Sequence, residues 1–415
     1  MNRPQASKNL IFLTILLAFV LSASFVFAAP AAPTEGPRYF VKTTKSFWQK
    51  SFGVRHLFEH GFTTDLSGLQ LTLVKVFGVE VEPVEELHIL PEEAVLPDDT
   101  GSTKSQNPQK ETPRIAVRIT PGDQTPWGIE VIYNDSLIAS TSGGAGINVA
   151  VLDTGVLKTH LDLKNRIKQC KDFTSPRFPV KDGSCDDKHG HGTHVSGIIL
   201  ADGGSDKLGI YGVAPGANLF TYKVCGNNGS CWADDISVAI RTAADNGTNV
   251  INMSLGSDVE SSLIRNAIDY AVSKDVLVAA AGGNDGPYPA SIDYPAANVK
   301  VIGVGAVDAT FSVPNWSSRG DNPNTLPYVV EEKDMEFGAP GVNIKSTWKD
   351  GSYAILSGTS MASPHVAGLA AKLWQSGALE GTRAQATRDL LHQLVKDIWT
   401  AGDDDATGFG LPQVK

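Results

Sequence analysis

The chain has 415 residues, 41% of them hydrophobic, so it can bury a large core and cannot be disordered throughout. Its formal net charge of -10 argues against a nucleic-acid partner, because binding to phosphate groups requires a basic surface. These numbers predict an enzyme-sized folded domain with an accessory segment.

Residues 1–29 have the pattern of a secretory signal peptide. Basic residues precede an apolar run over 10–27, and the small residues Ala28 and Ala29 follow it. An uncleaved membrane anchor is the alternative, because residues 10–29, at about 1.5 Å each in a helix, are just long enough to span a bilayer. The small residues favour cleavage, so we expect a secreted, extracellular protein, with an N-terminal membrane anchor as the alternative.

Residues 30–90 predict a small α+β module that is too short to be an enzyme by itself. Residues 39–41 and the alternating segment 69–74 predict strands, and residues 57–60 predict a helix. The residues that follow are mainly Pro, Glu, Asp, Ser, Lys and Gln, so burial cannot offset the entropy of ordering them. We therefore predict a disordered linker over 91–122, and an exposed linker is open to proteolysis.

Beyond the linker, apolar runs of strand length alternate with helical patterns, which predicts an α/β domain over 123–415. The strand-like runs are residues 147–152, 218–224, 250–253, 276–281 and 299–307, and the helical patterns are residues 234–246 and 261–273. Nearly continuous apolar strands joined by helices predict a doubly wound, mostly parallel sheet with helices on both faces. In such a sheet the active site lies at the carboxyl ends of the strands.

The cysteines form two pairs that are close in sequence, Cys170 with Cys185 and Cys225 with Cys231. Export would permit disulfides, and three connectivities are possible. We favour the two local pairings, because short loops close at the least entropic cost. A metal site is the weaker alternative, since the sequence contains no C-x-x-C pair.

An aspartate and two glycine-rich blocks stand out as candidate catalytic residues. Asp153 directly follows the apolar run 147–152, and taken alone it fits a turn cap as well as a catalytic carboxylate. Later come the block 186–197, Asp-Asp-Lys-His-Gly-His-Gly-Thr-His-Val-Ser-Gly, and the block 358–368, Gly-Thr-Ser-Met-Ala-Ser-Pro-His-Val-Ala-Gly. With these three blocks in this order, the chain resembles the subtilisin-like serine proteases, the subtilases, over about residues 124–410.

The resemblance implies a triad of Asp153, His191 and Ser360. A serine hydroxyl is a poor nucleophile until a base takes its proton, so His191 would act as general base toward Ser360. Asp153 would hold the imidazole and stabilise its charged form. The family places the catalytic histidine first in His-Gly-Thr-His, which makes His194 a structural donor and His189 a surface residue. The serine begins a predicted helix, whose free N–H groups favour a negative oxygen.

The resemblance also implies how a substrate is bound. Asn284 would supply a second oxyanion donor. Ser254, Leu255 and Gly256 would form the strand edge on which a peptide substrate pairs through its backbone. Asp293 aligns with the floor of the primary specificity pocket. A carboxylate there would attract Lys or Arg side chains, with a solvated loop carboxylate as the alternative.

Structural calcium is the cofactor that the resemblance implies, with no catalytic metal and no organic cofactor. Calcium sites in the family use oxygen ligands from loops, and Asp162 matches a family ligand. Asp123 lies where the mature N-terminus contributes another ligand. The loop that contains Asp202 and Asp206 is somewhat longer than the usual calcium loop, and both are candidate ligands as well.

The sequence as a whole predicts a secreted serine endopeptidase that hydrolyses peptide bonds in proteins and is made as an autoprocessed zymogen. Residues 30–90 resemble the inhibitor-type propeptides of the family, small domains that assist folding and inhibit the product. Cleavage near Lys110 or Arg114, or somewhat beyond, would release the mature enzyme. We expect protein or peptide substrates, the propeptide as an intramolecular inhibitor, and a monomer.

Two other functions are compatible with parts of the pattern. One is a catalytically silent, subtilase-like binding protein, although all three triad positions and Asn284 are present. The other is an esterase of another Ser-His-Asp fold. It is disfavoured because the serine lacks the Gly-x-Ser-x-Gly motif and the order of the triad differs.

Overall fold

The computed structural model describes most of the chain between residues 37 and 414. The described ranges are 37–90, 93–95, 119–176, 179–322, 329–375, 377 and 381–414. The predicted signal peptide, residues 1–29, and the candidate cleavage positions Lys110 and Arg114 lie outside them. Within these ranges, no helix has the length and hydrophobicity that crossing a membrane requires.

Residues 37–90, which we call the N-terminal region, form a small α+β unit. Its first elements are β1 (Arg38–Val41), α1 (Ser46–Phe52), β2 (Leu57–Phe58), β3 (Gly61–Asp65), α2 (Gly68–Val76) and β4 (Val81–Pro83). The strands form an antiparallel sheet in the order β2-β3-β1-β4. A small core joins this sheet to the helices; its buried members are Val41, Trp48, Phe62, Leu66 and Val74.

Two of the elements predicted for the N-terminal region are wrong. The alternating segment 69–74 lies in helix α2 and not in a strand, because Ser67 begins the helix with a capping box. Its Oγ accepts from the backbone N–H of Gln70, whose side chain accepts from the backbone N–H of Ser67. Residues 57–60 contain β2 and a turn instead of a helix, because β2 pairs with β3.

The larger region, residues 119–414, contains a mostly parallel sheet that confirms the predicted fold class; we call it the sheet region. In spatial order the strands of this sheet are β16 (Phe337–Pro340), β15 (Ile302–Val307), β14 (Leu277–Ala281), β12 (Val250–Met253), β7 (Asn148–Asp153), β10 (Asn218–Lys223), β8 (Ile167–Asp172) and β9 (Lys181–Asp182). Its helices are α3 (Trp127–Tyr133), α4 (His191–Leu200), α5 (Ala233–Asp245), α6 (Ser262–Ser273), α7 (Thr359–Lys372) and α8 (Arg383–Gln393). Strand β9 pairs antiparallel with β8, and the other neighbours pair in parallel.

Apolar side chains cover both faces of the central sheet. Alternate residues of β7 point to opposite sides, so Val149 and Val151 lie in one core while Ala150 and Leu152 lie in the other. Helices α4 and α7 pack on the first core, and helices α5 and α6 pack on the second. The inner strands β12, β14 and β15 are buried at every residue and largely apolar, as predicted, whereas the outer strands β8 and β9 are mostly polar and partly exposed.

Shorter strands lie outside the central sheet, and two of them join the regions. They are β5 (Glu86–Ile89), β6 (Glu93–Val95), β11 (Ser230–Trp232), β13 (Leu255–Gly256), β17 (Ile344–Thr347), β18 (Tyr353–Ser357), β19 (Val395–Lys396) and β20 (Leu411–Pro412). Strand β5 lies between β11 and β13, and β6 pairs with β18. The disorder predicted for the linker is wrong for residues 93–95, since their backbone finds partners on β18 that composition does not reveal.

The disulfides join the cysteines that are close in sequence, so the favoured pairing is confirmed. Cys170–Cys185 links β8 to the residue that precedes the first glycine-rich block. Cys225–Cys231 joins the two sides of the loop that leads into β11.

Candidate active site

The three residues of the predicted triad come from three different elements. Asp153 ends β7, His191 is the first residue of α4, and Ser360 is the second residue of α7. Strands β7 and β10 end side by side, with Asp153 opposite Lys223. The aspartate therefore lies at the carboxyl edge of the sheet, where ligands bind in folds of this kind.

His191 and Asp153 form a buried pair. Nδ1 of the imidazole lies 2.8 Å from Oδ1 of Asp153 and 2.9 Å from Oδ2. Both side chains are fully buried, and Oδ1 also accepts from the backbone N–H of Thr154 at 2.6 Å. Because the carboxylate can only accept, the ring proton lies on Nδ1, which makes Nε2 the basic nitrogen of the neutral ring.

A second buried aspartate, Asp187, shapes the loop in front of His191, and sequence reasoning did not identify it. Its carboxylate accepts from the N–H groups of Gly190 at 2.7 Å and Thr193 at 2.9 Å, and from the hydroxyl of Thr154 at 2.9 Å. Burial raises the pKa of Asp187, but these hydrogen bonds outweigh burial and leave the pKa below its usual value. The available signal was an acid three residues before the glycine that precedes α4.

Ser360 is held against the strand edge that follows β12. Its Oγ donates to the carbonyl oxygen of Ser254 at 3.3 Å, and Oγ of Ser254 donates to the carbonyl oxygen of Ser360 at 2.9 Å. N–H groups in the first turn of a helix have no acceptor within the helix. The start of α7 therefore favours a negative oxygen beside the serine hydroxyl.

Asn284, which follows β14, reaches the start of the same helix. Its Oδ1 accepts from the backbone N–H of Thr359 at 3.0 Å and from the Thr359 hydroxyl at 2.9 Å. These two bonds fix the plane of the amide, so that Nδ2, its donor atom, faces away from Thr359. The arrangement brings a side-chain donor next to the N-terminus of α7.

Two other histidines near the site are buried and neutral. Nε2 of His194 lies 3.1 Å from the carbonyl oxygens of Ile344 and Ala354, as expected for a structural donor. Burial, with His191 nearby, lowers the pKa of His194 to about 3, and burial lowers the pKa of His365 to about 4. Rings that resist protonation near neutral pH are poorly suited to act as general bases.

The chain itself occupies the strand edge that was predicted to hold a peptide. Strand β5 runs antiparallel to β13, with Ile89 opposite Leu255 and His88 opposite Gly256. On its other side β5 pairs with β11, which contains Cys231. The Cys225–Cys231 disulfide therefore restrains β11, the strand on the side of β5 opposite β13. Leu255 and Gly256 thus pair through their backbone with an extended segment of the chain itself.

Leu87 of β5 belongs to the same buried apolar cluster as Ile264 and Ile268. It also lines a small pocket beside this sheet, whose other lining residues are Val259, Glu260, Ser261, Ile264, Arg265, Ile268, Tyr294, Pro295 and Asn298. Only 1% of Leu87 is exposed. Full burial of a leucine side chain contributes about 1.5–3 kcal/mol. Burial of Leu87 therefore supplies a substantial part of the free energy that keeps β5 in place.

Asp293 is buried in the wall of the cleft next to β13. Gly256 and Gly283 flank it, and a Cβ at either glycine would lie 2.8 Å from an atom of Asp293. Oxygens of Asp258, Asp285 and Asp293 lie within 4.8 Å of one another. Burial, reinforced by the charges of Asp285 and Asp258, raises the pKa of Asp293 to about 7. A cation placed here would favour the ionised form.

The four residues predicted as calcium ligands do not form one carboxylate cluster. Within the described ranges, the groups of three or more His, Cys, Asp or Glu side chains close enough to share an ion contain none of them. Asp162 accepts from the Tyr353 hydroxyl at 2.7 Å and from the N–H of Ile210 at 3.1 Å. Asp202 forms an ion pair with Arg166 at 2.8 Å.

The other two predicted calcium ligands, Asp123 and Asp206, stabilise local turns. Gln124, the residue after Asp123, contacts the loop that contains Asp206. Asp123 and Asp206 accept from the backbone N–H two residues later, at 3.0 and 3.3 Å. Nε2 of Gln124 donates to the carbonyl oxygens of Lys207 and Gly209, each at 2.8 Å. Gly209 in turn packs against the Asp162 carboxylate, so a carboxylate and two loop carbonyls lie close together.

Comparisons with known proteins identify relatives over most of the chain. Residues 144–410 match the family model described as the subtilase family. A subtilisin from Bacillus sp. (strain TA39) is 44% identical over 408 residues, which cover 92% of this chain and 93% of that protein. The M-protease of Shouchella clausii (strain KSM-K16) is 36% identical over 299 residues, 72% of each chain. Among solved structures, the S41 psychrophilic protease shares 52% identity at a TM-score of 0.67, covering 71% of this chain and 99% of that one.

Proposed function

The chain belongs to the subtilase family and is a serine-type endopeptidase, and we propose that it hydrolyses peptide bonds through Asp153, His191 and Ser360. The observation that carries this proposal is the buried pair in which Nδ1 of His191 lies within 2.9 Å of both carboxylate oxygens of Asp153. This pair makes Nε2 the base, and Ser360 lies in the first turn of the helix that offers N–H groups to an anion.

The reaction follows from these positions. Oγ of Ser360 attacks the substrate carbonyl carbon while Nε2 of His191 takes up the hydroxyl proton, and Asp153 stabilises the imidazolium. The carbonyl oxygen becomes anionic and accepts from a first-turn N–H of α7 and from Nδ2 of Asn284. His191 then gives the proton to the leaving amine. Water repeats the sequence on the acyl enzyme and releases the second product.

Casein hydrolysis by the purified protein tests this function. Ser360→Ala removes the attacking oxygen and should abolish hydrolysis. The matched control is Ser273→Ala, because Ser273 is exposed at the end of α6 and donates only to the carbonyl oxygen of Tyr270, one turn earlier. Full activity of Ser360→Ala would contradict the proposed triad, and hydrolysis of short-chain esters without casein would indicate the esterase alternative.

The same geometry supports a substrate that binds as an extended strand. Ser254, Leu255 and Gly256 would pair with its backbone, as Leu255 and Gly256 do with β5. We propose that Asp293 selects Lys or Arg before the scissile bond, because its buried carboxylate lies beside two of the glycines that line the cleft. A substrate cation would compensate the charge that burial makes costly.

We also propose that the protein is secreted as a zymogen. Residues 1–29 would be the signal peptide, residues 30–90 the propeptide that inhibits the enzyme, and residues 91–122 the linker that holds the processing site. The position of β5 between β11 and β13 supports the inhibitory role, because it takes up the edge that a substrate needs. N-terminal sequencing of the secreted product would contradict this scheme if residues 30–90 remained attached.

Charged contacts support the same role for the N-terminal region. Nη1 of Arg38 lies 2.8 Å from Asp234 and 2.9 Å from Asp235, and Nε2 of His56 lies 2.8 Å from Asp235. All four side chains are buried. These contacts join the propeptide to the start of α5. Because Arg38 and His56 are far from β5 in sequence, the propeptide would bind through two separate parts, the β5 strand and this charged cluster. We expect the released enzyme to act as a monomer.

Structural calcium fits one place in the described residues. We propose that Asp162 and the loop carbonyls of Lys207 and Gly209 would hold it, with the Gln124 amide turned so that Oε1 replaces Nε2, because hard oxygen ligands of these kinds suit calcium. Asp202 is the weaker ligand, since Arg166 already neutralises its charge. The ion would tie the segment before α3 to this loop and would take no part in the reaction.

A further inference from the structure

Thr154, the residue after Asp153, has a hydrogen-bond partner for each of its polar groups. Its N–H donates to Oδ1 of Asp153 at 2.6 Å, and its carbonyl oxygen accepts from Nζ of Lys223 at 2.7 Å. Its hydroxyl oxygen lies 2.9 Å from both Oδ1 of Asp187 and the backbone nitrogen of Gly192. The residue is fully buried, so these four contacts fix both its backbone and its rotamer.

The chemistry of the two partners sets the direction of the hydroxyl bonds. A backbone N–H can only donate and a carboxylate can only accept, so Oγ1 of Thr154 accepts from Gly192 and gives its one proton to Asp187. Gly192 directly follows His191 in the first turn of α4. Thr154 therefore holds the carboxylate of Asp153 through its N–H, and the backbone beside the imidazole through its hydroxyl.

Asp187 binds the backbone on both sides of His191. It accepts from the N–H of Gly190, just before the histidine, at 2.7 Å. It also accepts from the N–H and the hydroxyl of Thr193, two residues after the histidine, at 2.9 and 2.6 Å. Burial raises the pKa of Asp187, but these hydrogen bonds outweigh burial and keep the carboxylate ionised near neutral pH. The carboxylate, the Thr154 hydroxyl and the first turn of α4 thus form one charge-assisted network.

Close packing leaves the first turn of α4 little room beside the end of β7. A Cβ at Gly192 would overlap the carbonyl oxygen of Gly155 and would lie 3.0 Å from Oδ1 of Asp153. Thr154 is fully buried and only 6% of Asp187 is exposed, so a bond lost between them would leave a buried polar group unsatisfied. A shift of this turn would relieve that cost, and the turn carries the imidazole.

We propose that Thr154 and Asp187 are positioning residues: through the threonine hydroxyl they set the distance and angle between the imidazole of His191 and the carboxylate of Asp153. This inference rests on the proposed function and extends it by two residues. Because both side chains are buried, they do not line the surface that a substrate meets. Their effect falls on the chemical step, where a displacement of about 1 Å costs on the order of 10²-fold, and not on substrate binding.

Thr154→Val tests the proposal, because valine is also branched at Cβ and lacks the hydroxyl. The variant is made in the full chain, and the product is assayed on a peptide substrate. Its kcat should fall by about 10²-fold with KM unchanged, as expected when an interaction is lost in the transition state only. Thr154→Ser keeps the hydroxyl and should restore most of the rate.

Thr387→Val is the matched control. Thr387 is also fully buried, and its hydroxyl likewise has two partners. It donates to the carbonyl oxygen of Arg383 at 2.7 Å and accepts from the N–H of Gln375 at 3.1 Å. This threonine lies in α8, which contributes no residue to the site. Its replacement should lower the Tm and leave kcat as in the wild type.

Two further measurements separate positioning from a loss of stability. If both residues act through the one hydroxyl, Thr154→Val should cost much less in an Asp187→Asn background than in the wild type. Proton NMR should place the Nδ1 proton of His191, in its charge-assisted bond to Asp153, far downfield. That signal should move upfield in Thr154→Val and stay in place in Thr387→Val. Additive costs in the two backgrounds would contradict the coupling.

The comparison of hydroxyl-bearing and hydroxyl-free variants decides the result. An unchanged kcat in Thr154→Val, or a Thr154→Ser variant as slow as Thr154→Val, would overturn the inference. If Thr154→Val does not fold, Thr154→Ser and Thr154→Ala give the same comparison, since they differ only in the hydroxyl. A Ser360→Ala variant that keeps its activity would instead contradict the proposed function.

Discussion

The sheet region and the N-terminal region satisfy their buried charges in different ways. In the sheet region, Asp153 and Asp187 accept hydrogen bonds from groups of the same region. In the N-terminal region, the buried Arg38 and His56 both contact Asp235, which belongs to the other region. A buried charge without a partner is costly, so the N-terminal region depends on the contact to keep these side chains where they are.

The N-terminal region depends on the contact for its buried charges more than the sheet region does. Asp234 and Asp235 lie in the first turn of α5, where the helix dipole favours negative charge. Burial, with Asp234 nearby, raises the pKa of Asp235. If the N-terminal region is removed, as proposed, water can reach both carboxylates, and the helix still stabilises their charge. The sheet region therefore depends less on this contact than the N-terminal region does.

The largest expected effect comes from breaking the network inside the sheet region. Asp153→Asn replaces an acceptor of the Nδ1 proton with an amide that favours the wrong tautomer of His191, so kcat should fall by about 10⁴-fold. Asp269→Asn is the control, since Asp269 is a surface residue paired with Lys300. Kinetics on a peptide substrate and a melting curve would be measured for both. An active Asp153→Asn variant would show that the pair is not catalytic.

Arg38→Met breaks the contact between the regions instead. Removing one partner of a buried ion pair costs about 3–5 kcal/mol, which corresponds to more than about 100-fold in an equilibrium constant. In the Ser360→Ala precursor, trypsin digestion of the N-terminal region should therefore accelerate by that factor. The control is Arg55→Met, which loses an ion pair with Asp65 inside the N-terminal region and removes one trypsin site as well. Equal digestion of the two variants would argue against the dependence.

Asp293 differs from Asp153 and Asp187, the other buried carboxylates of the sheet region discussed above. Burial and the charges of Asp285 and Asp258 keep it partly protonated near neutral pH. Its pKa of about 7 means that the side chain is neutral in acid and negative in base. The ratio of kcat/KM for Lys over Leu before the scissile bond should therefore rise, roughly tenfold or more, as pH rises through 7. Asp293→Asn should give a ratio that does not change with pH. A flat ratio in the wild type would remove Asp293 as the selective residue.

Calcium removal is expected to have the smallest effect. An ion present at about 100 times its Kd stabilises by about 2.7 kcal/mol, so EDTA should lower the Tm of the mature enzyme by about 5 °C. Asp162→Asn should lower the Tm without EDTA and make it insensitive to EDTA. Asp206→Asn, a change in an exposed turn, should keep the shift. A Tm that EDTA leaves unchanged would rule out a structural calcium ion.

The sequence predicted the sheet region well and the N-terminal region poorly, for a physical reason. The inner strands of the central sheet are buried on both faces, so the run at 250–253 coincides with β12 and the run at 218–224 covers β10. In the N-terminal region the leucines of 69–74 alternate as in a strand, yet 66% of Leu69 is exposed. An alternation that does not follow burial carries no information about which element forms.

The candidate site was predictable only where its residues lie in local motifs. Asp153, His191 and Ser360 each fall in a short block that is visible in the sequence. The contact of Arg38 with Asp234 joins residues 196 positions apart, and no local pattern links them. Gln124 likewise meets the loop carbonyls only after the chain has folded. Pairings of this kind depend on the tertiary structure, and composition or periodicity does not contain them.

The alternation of buried and exposed side chains along β5 fixes the register of this strand. Leu87 is buried in its pocket, whereas the side chains before and after it, Glu86 and His88, are exposed. A slip by one residue would turn the leucine toward water and a polar side chain toward the pocket, so neighbouring alignments are excluded. The leucine thus fixes which residues of β5 pair with β11 and β13. Mutations at Leu87 should therefore weaken the attachment of β5 to both neighbouring strands.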